Sequence, residues 1–62
     1  MPIITVELIE GRSVEQKREM AKRITDAVSE IARVSPEIVE VIFQDMKKEN
    51  YATGGILQCD RG

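Results

Sequence analysis

The chain has no histidine and only one cysteine among its 62 residues, and these two scarcities exclude much common enzyme chemistry. Without an imidazole there is no histidine-based catalytic dyad, triad or metal site. Cys59 has no second thiol to pair with, so no disulfide staples the chain internally. One thiol cannot build a structural zinc site, which takes four N or S ligands. Tryptophan is absent, and Phe43 and Tyr51 are the only aromatic residues, too few for a platform on which bases stack. Basic residues are not in excess: 9 Lys+Arg stand against 11 Asp+Glu, for a net charge of −2. Nucleic-acid binding calls for a concentrated positive footprint, and there is none. The longest apolar run, Met1 to Ile4, is far too short to span a bilayer, and no secretion signal follows a basic start. The expectation is a cytoplasmic protein without a nucleic-acid or membrane partner; the lone cysteine agrees with a reducing compartment.

Size adds a further constraint. The whole chain, residues 1–62, is read as a single domain. A chain of this length buries only about 60% of the surface its unfolded form exposes. Small natural chains are usually stabilised by disulfides, a metal or oligomerisation, and with the first option excluded oligomerisation is the expected source of stability.

What is present is strong periodicity. From Ile3 to Ile9 the residues alternate, with Ile4, Val6 and Leu8 on one face and Ile3, Thr5, Glu7 and Ile9 on the other. Period-two alternation rich in Ile, Val and Thr predicts a strand, broken by Glu10-Gly11-Arg12. Ser13-Val14-Glu15-Gln16 has the S-x-x-Q form of a capping box. Behind it Met20, Ala21, Ile24, Ala27, Val28, Ile31 and Ala32 form one apolar stripe at helical spacing. Glu19 and Arg23 make an i,i+4 pair on the solvated side. The prediction is a helix from about Val14 to Arg33, stopped by Pro36, because the residue before a proline resists helical backbone. Alternation resumes from Val39 to Met46, with Val39, Val41 and Phe43 on one face and Glu40, Ile42 and Gln44 on the other. Gly54-Gly55 marks a turn, with Ile56-Leu57-Gln58 a short strand after it and a loose tail from Cys59.

Strand, long helix, strand is a βαβ unit of the α/β (α+β) class, with two parallel strands joined by a right-handed crossover and a short C-terminal hairpin. One helix covers one face of a two-stranded sheet. The other face, carrying Ile3, Ile9 and Ile42, is left bare, and a sheet of two strands is not stable by itself. That face is the expected oligomer interface.

The inventory for chemistry is short. Gly54-Gly55 lacks the spacing of a phosphate loop. The carboxylates are read as solvated surface groups, four of the eleven on the predicted helix, and Cys59 is read as an incidental thiol. Pro2, at the start of the first strand, has two readings. Proline is tolerated at a strand's first residue, where its missing N–H costs nothing. Alternatively, removal of Met1 leaves Pro2 as a rigid secondary amine. An α-amino group titrates near ~7.7–8.0 unperturbed, and partial burial and nearby cations lower that value, so such an amine suits a general base at neutral pH.

At this point nearly the whole chain resembles the 4-oxalocrotonate tautomerases. The resemblance is carried by Pro2, Leu8-Ile9-Glu10-Gly11-Arg12-Ser13, Glu15-Gln16-Lys17, Val41-Ile42, Met46 and Tyr51-Ala52-Thr53-Gly54-Gly55. It implies βαβ subunits assembled as a homohexamer (a trimer of dimers), with Pro2 exposed by loss of Met1 and acting on a small carboxylate substrate. In such enzymes the prolyl nitrogen takes a proton from an enol and returns it to carbon, without cofactor or metal. The resemblance implies that Arg12 binds a substrate carboxylate from a neighbouring subunit and that Tyr51 stands where the family has an aromatic wall. Substrates of the kind implied are 2-hydroxymuconate and phenylenolpyruvate. One position departs: the family's second substrate-binding arginine, on the second strand, is matched here by Glu40, a possible specificity position. A same-family alternative keeps Pro2 protonated as a general acid for hydration, dehalogenation or decarboxylation. A non-enzyme alternative is an oligomerisation module that has lost activity.

Overall fold

The computed structural model describes residues 1–61. The first strand, β1 (Ile3–Ile9), leads through a short loop to helix α1 (Val14–Ala32), which crosses back to β2 (Glu40–Met46). The two strands are parallel and in register from Ile3 opposite Glu40 to Ile9 opposite Met46. Both therefore start at the same end of the sheet. The predicted βαβ unit is present, with β2 starting one residue later than the alternation indicated.

Side chains opposite one another in the ladder share a face. Ile4, Val6 and Leu8 of β1 and Val41 and Phe43 of β2 are half-buried towards α1, whereas Ile3, Thr5, Glu7, Glu40, Ile42 and Gln44 are exposed on the far side. Helix α1 meets the covered face with Met20, Ala21, Ile24 and Val28. Its later apolar residues Ala27, Ile31 and Ala32 remain open, Ile31 at 81% exposure. Uncovered apolar surface thus extends beyond the sheet to the last turns of the helix, where Ala27, Val28, Ile31 and Ala32 line an open depression.

The two helix ends are built differently. At the start, the Ser13 hydroxyl accepts the Gln16 N–H at 3.1 Å and the Gln16 side chain accepts the Ser13 N–H at 2.9 Å, so the capping box is complete. At the finish the expectation needs a correction. The helix does not run on until Pro36 stops it: Arg33 turns left-handed, with φ 59° and ψ 49°, and the Val34 N–H closes onto the Ser29 carbonyl at 3.1 Å. This is a Schellman-type ending with arginine where glycine is the ordinary occupant. Pro36 instead opens a 3-10 turn, Pro36–Ile38, that leads into β2. Left-handed backbone costs an L-residue roughly 1–2 kcal/mol, and glycine gives back about 0.4–1 kcal/mol through its freer unfolded chain. Arg33→Gly is therefore expected to raise stability by about 0.5–1 kcal/mol. Denaturant midpoints at a fixed protein concentration check this, and Arg33→Ala should show no such gain.

The C-terminal segment is also more ordered than predicted. After a 3-10 turn at Lys48–Asn50, the strands β3 (Ala52–Thr53) and β4 (Ile56–Leu57) pair antiparallel around Gly54-Gly55. Both glycines have positive φ, 61° and 83°, the type I′ pattern favoured in two-residue hairpins. The predicted strand ends at Leu57, and Gln58–Asp60 forms a 3-10 turn. The segment from Cys59 is not a loose tail, because the Arg61 guanidinium donates to the Thr53 carbonyl at 3.1 Å and ties it to the hairpin.

None of the described residues is buried. The Cα radius of gyration is 14.7 Å, with extents of 43 × 24 × 13 Å. A compact domain of this length would measure roughly 10–11 Å. The chain is a flat slab with a hairpin arm, and beyond the half-buried face under α1 its exposed apolar surfaces find no partner among the described residues.

Candidate active site

The parallel ladder brings Pro2 and Glu40 together. The Glu40 N–H donates to the Pro2 carbonyl at 3.0 Å, extending the sheet by one rung before β1 begins. Pro2 is half-buried, and this rung fixes its ring at the sheet's starting edge. The Met1 α-amino group lies against the Ile38 carbonyl at 3.4 Å. Glu40, directly opposite Ile3, is exposed on the uncovered face beside Ile42 and forms no ion pair among the described residues.

Arg12 lies elsewhere. It follows β1, in the loop between Glu10 and Ser13, and the seven residues of β1 at ~3.3 Å each separate the two ends by roughly 20 Å. No arginine side chain bridges that span, so Arg12 does not reach Pro2 of its own chain. The loop is held tightly. The Glu10 N–H donates to the Met46 carbonyl at 2.9 Å, Gly11 takes a φ of 120°, and Ser13 is fixed as the helix cap. Tyr51 comes five residues after β2. Its carbonyl accepts the Gln58 N–H at 2.8 Å, while the residue as a whole is 41% exposed. Of the four residues singled out from sequence, the structure joins Pro2 with Glu40 through the backbone only, with the Glu40 side chain on the uncovered face, and leaves Arg12 and Tyr51 in other parts of the slab.

One interaction escaped the sequence reading. The Lys17 ammonium on α1 and the Asp45 carboxylate at the end of β2 meet at 2.8 Å. The other ion pairs, Glu15–Arg18, Lys22–Asp26 and Glu19–Arg23, are local to the helix. The available signal was the row Val41, Phe43, Asp45, which sets a charge where alternation calls for an apolar residue. Among the described residues no three His, Cys, Asp or Glu side chains converge as a metal site would require, and no helix is long and apolar enough to cross a membrane.

A family model described as Tautomerase enzyme matches residues 2–58, from the edge proline through the hairpin. The chain belongs to the tautomerase family. The 2-hydroxymuconate tautomerase of Bacillus subtilis is 42% identical over 55 residues, covering 89% of each chain. The solved structure of YwhB, a homologue of 4-oxalocrotonate tautomerase, superimposes with a TM-score of 0.94 at 38% identity, covering 98% of this chain and 100% of that one. A heterohexamer 4-oxalocrotonate tautomerase from Chloroflexus aurantiacus gives 0.92 at 29% identity, with full coverage of both chains. Family membership makes this tautomerase an isomerase, and the reading as a purely structural oligomerisation module is set aside.

Proposed function

We propose that this tautomerase interconverts the enol and keto forms of a small 2-oxo acid, with the Pro2 nitrogen as the general base once Met1 is removed. The nitrogen takes the enol hydroxyl proton and returns it to carbon as the ketone forms; no cofactor or metal takes part. Arg12 of a neighbouring copy holds the substrate carboxylate, and the Tyr51 ring forms an apolar wall. The observation that carries this reading is the placement of Pro2. It is fixed at the sheet edge by the Glu40 rung, the full length of β1 away from its own Arg12. A complete site then needs more than one chain, in keeping with the uncovered surfaces and with the heterohexamer reported for the Chloroflexus relative. The proposed assembly is a homohexamer, a trimer of dimers, of single-domain subunits spanning residues 1–62, working in the cytoplasm.

Glu40 shapes the choice of substrate. Glu40 meets Pro2 through its backbone, and its carboxylate stands on the uncovered face; where that face closes on a neighbouring copy's site, the carboxylate repels the second carboxylate of a dicarboxylic substrate. Two like charges ~4 Å apart cost about 4 kcal/mol at an effective dielectric near 20; with Glu40 exposed, water screens most of that. The remaining bias favours monocarboxylate enols such as phenylenolpyruvate over 2-hydroxymuconate. Glu40→Arg should shift the ratio of kcat/KM towards the dicarboxylate by about tenfold, and Glu40→Gln by less. Steady-state kinetics of the three proteins on both substrates test this, and an unchanged ratio in Glu40→Arg removes Glu40 from the site.

A further inference from the structure

The Lys17–Asp45 pair sits where stability alone gives little reason for a charge. Asp45 lies opposite Leu8 in the ladder and continues the row of Val41 and Phe43 that faces the helix. An apolar side chain there would add to a core in which none of the described residues is buried. The pair is only partly shielded, at 26% and 40% exposure for the two side chains, and exposed ion pairs add little to folding. What a charge-assisted hydrogen bond adds is direction and distance, and it adds them next to one particular loop.

That loop carries Arg12. Its upstream end is tied to β2 by the Glu10 N–H to the Met46 carbonyl, one residue beyond Asp45. Its downstream end is the Ser13 cap, whose carbonyl accepts the Lys17 N–H at 3.1 Å. Lys17 therefore holds the cap through its backbone and the end of β2 through its side chain. Asp45 and Met46, adjacent on β2, thus anchor the two sides of the two-residue span Gly11-Arg12. Both ends of the span that carries Arg12 are tied to the same stretch of β2.

We infer that the Lys17–Asp45 ion pair aims Arg12, making both side chains positioning residues for carboxylate binding in the neighbouring site. The inference rests on the proposed role of Arg12. Loosening the pair lets the helix start drift from β2 and spreads Arg12 over more orientations, so it weakens substrate binding more than proton transfer.

The test uses the assembled protein and phenylenolpyruvate, with KM and kcat measured separately. Asp45→Asn and Lys17→Met are each expected to raise KM about five- to tenfold, below the ~100-fold that a full 1 Å misplacement costs, with kcat within about twofold of wild type. The exchange Lys17→Asp with Asp45→Lys should bring KM back towards the wild-type value. In an Arg12→Ala background, itself raised in KM, Asp45→Asn should add nothing, because the residue it aims is gone. A normal KM in both single variants, or an equal rise with and without Arg12, overturns the inference. So does failure of both to assemble, since the pair is then merely structural. If Arg12→Ala leaves KM unchanged, the proposed role of Arg12 fails first, and that result is read independently of Lys17 and Asp45.

Discussion

Protein that retains Met1 is expected to ketonise enol acids at no more than about a thousandth of the rate of protein beginning at Pro2, the range of a lost general base. With Met1 attached, the Pro2 nitrogen is a tertiary amide whose lone pair is delocalised into the carbonyl, so it has no basicity to offer at any usable pH. Removing Met1 gives up its 3.4 Å contact with the Ile38 carbonyl but keeps the rung that holds Pro2, which uses the Pro2 carbonyl and the Glu40 N–H. The comparison therefore isolates basicity from fold. Pro2→Ala, with Met1 also removed, keeps an amine but makes it primary and freer to rotate; an intermediate loss of roughly ten- to a hundredfold is expected, within the contribution of a positioned base. Intact mass establishes the first residue of each preparation, and stopped-flow absorbance gives the rates. Full activity in a uniformly Met1-bearing sample would contradict the mechanism.

The second large effect concerns folding. Ile42→Asp is expected to abolish the folded state at micromolar concentration, not merely to weaken it. Ile42 is 45% exposed and Ile3 47% in the isolated chain, both on the face that α1 leaves open. Ordering the backbone costs about 1–2 kcal/mol per residue. Apolar burial has to meet that cost, and within one chain none of the described residues is buried. In the proposed assembly contacts between copies supply the difference, so a carboxylate planted in the middle of the open face would remove the contact and the fold together. Sedimentation with circular dichroism tests this. A monomer of 7.0 kDa that unfolds cooperatively would show that the chain is self-sufficient.

How legible each feature was depended on how local its cause is. β1 and the start of α1 could be read closely, because alternation and the Ser13–Gln16 box act within a few residues. The end of α1 was placed within one residue but for the wrong reason. No glycine marks the left-handed position, and arginine at Arg33 gives no sign of it. The hairpin turn was visible in Gly54-Gly55, yet the order after Leu57 depends on Arg61 reaching back to Thr53, a tertiary contact without a sequence signature. For the site, Pro2 and Glu40 were singled out individually. Their pairing follows from the parallel register, which no single residue encodes. Lys17 was singled out only within the Glu15-Gln16-Lys17 motif of the resemblance, and its partner Asp45 drew no attention, because an ion pair between elements cannot be recognised until the elements are packed.

The length of β1 also bears on inheritance. Because one strand's span keeps Pro2 and Arg12 of a chain apart, a lesion at either residue would, in the proposed shared site, disable a different half. Chains carrying the two lesions separately, mixed in one assembly, still present an intact Pro2 to an intact Arg12 wherever the undamaged halves meet. Two defective alleles expressed in one cell would complement each other, whereas two lesions on the same chain would not.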